Sequence, residues 1–168
     1  MAVKYADLPR NADERTTLLQ FLEWQRATLA RKCEGLTDDQ LRVKSAEPST
    51  LSLLGLVRHL AEVERGWFRR TLASEDVSDQ FITDADPDGD FNDLDSAPVE
   101  AVFAAWRAEC ERARQIVATR QLDDTGRQRS GKAVSMRWIL VHMIEEYSRH
   151  NGHADLLRER IDGATGYD

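Results

Sequence analysis

Cysteine is nearly absent: the 168 residues contain two, Cys33 and Cys110, and neither has a CxxC partner or a histidine close by in sequence. A disulfide framework and a thioredoxin-like motif are therefore not expected. The expectation is a pair of reduced thiols on apolar helix faces, in a cytoplasmic protein. No apolar run approaches the ~20 residues of a membrane span. The opening stretch MAVKYADLPR lacks the apolar core of a secretory signal. Positive charge is in deficit, with 23 Lys and Arg against 30 Asp and Glu and a formal net charge of -7. A nonspecific grip on nucleic acid or on an anionic membrane surface is excluded as an expectation. There is no glycine-rich phosphate loop, no GxSxG and no basic stretch interleaved with aromatics. The arginines of residues 107–120 alternate with glutamate and read as solvated helix faces.

What is present is helical periodicity. Residues 1–11 form a polar lead-in to which Tyr5 and Leu8 give something to bury. A first helix is expected over 12–34, with Asp13 and Glu14 at the positive end of its dipole, Leu18, Leu22, Leu29 and Cys33 at helical spacing, and Gly35 as its stop. Thr37-Asp-Asp-Gln40 is a capping-box pattern. A second helix is expected from 52 to 73, with Leu56, Leu60, Val63 and Trp67 as its apolar stripe and His59 at the border of that stripe. A third runs from 99 to 119, with Ser96 as cap, Pro98 in the first turn, and Val102, Phe103, Trp106, Cys110, Ala113 and Val117 buried. Residues 121–134 read as a connection. Ser135 caps a fourth helix that runs to about residue 161 and stops at Gly163, with residues 164–168 as a frayed tail. No strand pattern is convincing. Four long helices in a single domain over 1–168 make an all-α four-helix bundle. The connections of about 18 and about 23 residues permit crossovers, so simple up-down order is not forced.

The fourth helix carries an anomaly. At ~100° per residue, Ile139, Met143, His150, His153 and Leu157 all fall within roughly 60° of Glu146. A stripe that should face the core is apolar at both ends and holds a carboxylate and two imidazoles in its middle. Such groups are costly to bury unless they are paired or bind a metal. Glu146 and His150, one turn apart, have the spacing that lets both reach one ion. His150 and His153 also share the face, whereas Glu146 and His153 are separated by roughly 10 Å of rise. Glu146 with His150 is the preferred pair, His153 being their neighbour and a candidate proton shuttle; His150 with His153 stays open. His59, from another helix, would complete three protein ligands and leave positions free for water or substrate, as catalytic sites do. His142 lies on the same side and is expected to pack or hydrogen-bond. The competing reading is a polar cluster held by hydrogen bonds or by an ion pair, such as Glu146 with Arg149. Gly152, inside the helix, is expected to let a backbone or ligand approach His150 and His153.

Residues 74–97 form a long loop rich in aspartate. Asp84-x-Asp86-x-Asp88-Gly89 with Asp95 in twelfth place matches much of a calcium loop. Pro87 inside it, Asp in place of Glu at the twelfth position and the lack of an entering helix argue for a solvated acidic loop instead.

The segments LSLLGLVRHLAEVERGWF (51–68) and HMIEEYSRHNGHADLLRERIDG (142–163) resemble the DinB-like superfamily. They come closest to its actinobacterial branch, in which an RHxGHAD segment is typical, and the resemblance covers nearly the whole chain. It implies a bundle of unusual connectivity that binds a divalent metal through three side chains. One histidine comes from the second helix and matches His59. Two ligands come from the last helix in an HxxxH or ExxxH pattern and match Glu146 and His150. The Glu version is similar to the metal-binding domain of mycothiol-dependent maleylpyruvate isomerase, whose fused second domain is not expected here. His153 stands where many relatives carry Gln, which implies a place beside the ion or in the pocket. The relatives, bacillithiol transferases among them, imply a thiol cofactor such as mycothiol, an electrophilic small-molecule substrate, transferase or isomerase chemistry and a homodimer. Zinc or nickel suits the donor set first, then iron or manganese. The alternative function is a non-catalytic bundle whose metal is structural or senses a ligand.

Overall fold

In the computed structural model, which describes residues 4–92 and 94–166, the expected long helices are present. They are α1 (Glu14–Cys33), α3 (Leu53–Glu64), α4 (Val99–Ala118) and α5 (Met136–Asp162), with a short α2 (Asp38–Arg42) after the first. The fold class is an all-α helical bundle. No helix among the described residues is long and apolar enough to cross a membrane.

The helix ends follow local chemistry. Asp13 caps α1 by accepting from the Thr16 amide at 3.0 Å, satisfying one of the donors that a helix start leaves free. Thr37 and Gln40 form the reciprocal capping box of α2. At the start of α5 the Ser135 hydroxyl accepts from the Trp138 amide, and Gly163 ends the helix at φ 78°, a conformation suited to glycine. Ser96 does not cap α4: that helix begins directly after Pro98 without a side-chain cap. Proline's fixed φ suffices to start the turn there, and its missing N–H loses nothing at a helix start.

The chain resolves into two compact units, one made of the residues up to 56 together with those from 140 onward, the other of residues 57–139. In the first, Leu22 and Leu29 of α1 and Leu140, Met143, Tyr147, Ala154 and Leu157 of α5 are buried. In the lead-in Leu8 is buried as expected, whereas Tyr5 stays exposed with its ring 5.2 Å from that of Trp24. Asn151 of α5 donates both to the backbone carbonyl and to the side-chain oxygen of Gln25 in α1. Arg158 reaches the carbonyls of Lys32 and Glu34 at the end of α1. Arg158 thus satisfies carbonyls at the end of α1 while Asn151 bonds to its middle, so the polar contacts fix register while the leucines supply the burial.

In the second unit the sequence reading needs two corrections. The helix expected over 52–73 does not stay α-helical: residues Arg65–Leu72 wind as a π-helix, closed by the Ala73 amide on the Phe68 carbonyl five residues back. The connection 121–134 contains a small antiparallel hairpin, β1 (Thr125–Arg127) with β2 (Ala133–Ser135), pairing Gly126 with Val134. Strands of three residues are too short for alternation to register as a pattern. Gly126 lies flat against the end of the π-helical stretch: a Cβ there would overlap the Thr71 carbonyl and lie 2.7 Å from the Leu72 Cα.

Candidate metal centre

On α5, the Glu146 carboxylate lies between two imidazoles. Its Oε2 is 3.4 Å from Nε2 of His150, one turn later. Its Oε1 is 3.5 Å from Nε2 of His142, one turn earlier. His142 also has Nδ1 at 3.6 Å from Glu145. His150 is 9% exposed, and its other ring nitrogen, Nδ1, is 3.4 Å from Nδ1 of His153. The His150 and His153 rings meet edge to face, with centroids 5.3 Å apart. Burial lowers the His153 pKa from its ordinary value, and the neighbouring His150 and Arg149 lower it further. Each nitrogen of His150 thus has a different neighbour, a carboxylate at Nε2 and an imidazole at Nδ1. Gly152 does not serve the close approach expected of it, since it is exposed and a Cβ there would meet nothing within 4 Å.

His59 stands on α3 in the second unit. The ring is fixed from two sides by the acidic loop. Oδ2 of the buried Asp90 lies 2.7 Å from Nδ1 of His59, and the Phe91 ring stacks on the imidazole at 5.0 Å with 26° between planes. Arg58 ties the same loop down, donating to the carbonyls of Gly89 and Asn92 with its guanidinium over the Phe81 ring. A Cβ on Gly89 would overlap the Phe81 carbonyl, so glycine is required where the loop crosses itself.

The loop expected to be solvated is therefore partly built into the protein. Among the described residues, no three of its acids bring ligand atoms to one point. Asp86 accepts from the Asn92 side chain, Asp88 faces solvent and Asp90 holds His59. Asp93 lies outside the described residues.

Beside His59 opens a cavity of about 490 Å³. One wall is the run from α3 into the π-helix, contributing Glu62, Val63, Gly66, Trp67, Arg70 and Thr71. The π winding turns less per residue than an α-helix and keeps these pairs, spaced by four, on one wall. Opposite stand Ile82, Phe91 and the hairpin residues Gln128 to Ser130. Asp79 bridges two arginines of the pocket, Oδ1 to Arg70 and Oδ2 to Arg129. Both cysteines are buried thiols outside any disulfide and outside the cavity lining. Sequence reasoning missed Asp90, Phe91 and Glu62. The spacing of four between His59 and Val63 marks a helix face, but nothing local says which aspartate of a loop 31 residues away returns to His59.

No curated protein is similar enough to the chain to count as a match. A family model described as Mycothiol-S-transferase matches residues 17–163, a span that contains His59, Glu146, His150 and His153 together with the whole cavity wall. The chain belongs to the mycothiol S-transferase family, a DinB-like family.

Proposed function

We propose that the protein is a divalent-metal-dependent S-transferase in which His59, Glu146 and His150 hold the ion and mycothiol is the thiol that is transferred to an electrophilic small molecule. The observation that carries the reading is that Glu146 and His150 stand one turn apart on α5 with Oε2 3.4 Å from Nε2, in a chain that the mycothiol S-transferase family model matches over residues 17–163. Two neutral imidazoles and one carboxylate form a donor set for zinc, nickel, iron or manganese. An ion so held stabilises a thiolate, the reactive form of a thiol, at neutral pH.

The chain's own residues prepare that chemistry. Asp90, accepting from Nδ1–H of His59, fixes the tautomer in which Nε2 is the ligand atom. His153, against the far nitrogen of His150, orients that ring and is the candidate proton shuttle. Trp67, Phe91, Val63 and Ile82 supply apolar surface for an electrophile, and Arg70, Gln128, Arg129 and Ser130 supply polar contacts to a hydroxyl-rich thiol. A purely structural ion would sit in a closed site, whereas His59 borders an open cavity, which favours catalysis over the structural alternative.

The test is metal analysis together with conjugation of mycothiol to a carbon electrophile. One ion per chain is expected, with turnover lost on chelation and restored by adding the ion back. Loss of the ion without loss of turnover would exclude the reading.

A further inference from the structure

The cavity wall contains a carboxylate that the ligand set does not use. Glu62 sits one turn after His59 and lines the same pocket. It is 7% exposed. Its Oε1 accepts from the backbone amides of Gln80 and Phe81 and so pins the loop that follows the π-helix. Its Oε2 is buried and has no hydrogen-bond partner among the described residues. An anchoring role accounts for the first oxygen and leaves the second unexplained, since a desolvated oxygen without a donor is costly.

The other acids of the pocket are committed. Both oxygens of Asp79 are bonded to Arg70 and Arg129, Asp90 is bonded to His59, and Asp88 faces solvent. Glu109 also has a free buried oxygen, but Arg65, Arg69 and Gln80 converge on its other one, and it lies outside the cavity lining.

We propose that Glu62 is a catalytic proton carrier: its uncommitted Oε2 takes the proton of the incoming thiol and later delivers it to the leaving group. The proposal rests on the thiol-transfer reading above. The S–H bond of the thiol breaks and its proton passes to Oε2, turning the carboxylate into the acid. The sulfur pair then forms the S–C bond to the electrophilic carbon. The bond from that carbon to the leaving group breaks with its pair, and the leaving group collects the proton from Glu62. Nothing is oxidised or reduced, and Glu62 ends as it began.

Burial raises the Glu62 pKa above the ordinary glutamate value, against the pull of the Phe81, Gln80 and Ile82 amides and with Asp79 adding to the rise. The other titratable and charged groups that line the pocket are His59, Arg70, Asp79, Asp88, Asp90 and Arg129. A carboxyl drawn toward neutrality in this way is better matched to carrying a proton near neutral pH.

The variant Glu62→Gln separates the two uses of the side chain, because its amide oxygen still accepts from Gln80 and Phe81. Mycothiol binding to the metal-loaded wild type and variant is followed by calorimetry in buffers of different ionisation enthalpy, which counts protons released to solvent. Wild type is expected to keep the thiol proton, whereas the variant releases it or binds the thiol more weakly. The variant's kcat/KM is expected to fall about 10²-fold and to lose the acidic limb of its pH profile, with metal content and Tm at wild-type values. Equal proton counts and superimposable pH profiles would overturn the role of Glu62 and leave the transfer reading intact. A metal-loaded wild type that neither binds mycothiol nor turns over would overturn both. If Glu62→Gln fails to fold, the wild-type proton count decides: full release of the thiol proton to buffer overturns the proposal and retention supports it.

Discussion

Oδ2 of Asp90 and Nδ1 of His59 are 2.7 Å apart, across 31 residues of chain that include most of the acidic loop. The contact makes the loop the orienting partner of a candidate ligand, a role that a carboxylate fills for metal-bound histidines generally. Replacing Asp90 should therefore cost metal affinity before it costs the fold. Asp90→Asn keeps an acceptor and loses the charge, and Asp90→Ala loses both. The ion should bind about 10-fold to 100-fold more weakly, with the alanine variant the weaker of the two. Competition against a chromophoric chelator measures this directly. Wild-type affinity in both variants would reduce Asp90 to a loop anchor.

The two possible pairings on α5 are separable by substitution. His150 faces Glu146 through Nε2 and His153 through Nδ1, and a ring nitrogen occupied on one side leaves the other for the neighbour. If Glu146 and His150 are the pair, then His59→Ala, Glu146→Gln and His150→Ala each strip the ion. In that case His153→Ala retains it and loses turnover. Metal content after dialysis, measured by elemental analysis, reads the outcome. A protein that keeps its ion as Glu146→Gln and loses it as His153→Ala would reverse the assignment.

The candidate ligands were legible because helical periodicity is a local property. Glu146, His150 and His153 break an apolar stripe at a fixed angular spacing, and no tertiary information is needed to see that. The capping box at Thr37 and the stops at Gly35 and Gly163 were legible for the same reason. Asp90 was not, because eight aspartates share residues 76–95, and the one that turns inward is chosen by distant contacts. Arg58 on the carbonyls of Gly89 and Asn92 and Phe81 against Gly89 set that choice. The π-helix was hidden too: RGWFRRTL has ordinary helix-forming content, and its wider winding accompanies tertiary contacts of Arg65 and Arg69 with Glu109 and of Thr71 with Gly126. Gly152 shows the opposite error, in which a local oddity suggested a close approach and the position proved open.

Cys33 should be chemically silent in the folded protein. Burial pushes its thiol up to about 12, with Arg158 opposing only in part. At about pH 8 the thiolate fraction is then about 10⁻⁴, against a substantial fraction for an ordinary thiol of pKa about 8.5. Alkylation followed by mass spectrometry should find Cys33 unmodified in native protein and fully modified in denaturant. Cys110, buried and donating to Glu64, should follow it. Rapid native labelling of Cys33 would contradict its burial and reopen a role for a protein thiol in the reaction.

Two glycines make opposed predictions from one geometric test. A Cβ at Gly126 would overlap the Thr71 carbonyl and crowd the Leu72 Cα. These are backbone atoms of the π-helical stretch and cannot swing aside as a flexible side chain would. Gly126→Ala should destabilise by about 1–3 kcal/mol, the usual cost of overpacking, and lower Tm by about 2–12 °C for a chain of this size. Thr71 also lines the cavity, so the displaced wall should raise KM for the substrates while metal content stays at the wild-type value. At Gly152 a Cβ meets nothing, and alanine in a helix interior is favoured over glycine by up to about 1 kcal/mol. Gly152→Ala should raise Tm and leave KM unchanged. Thermal melts and steady-state kinetics on the pair test whether the hairpin is a working part of the pocket wall. Equal KM values in both variants would mean that the hairpin supports the fold and not the site.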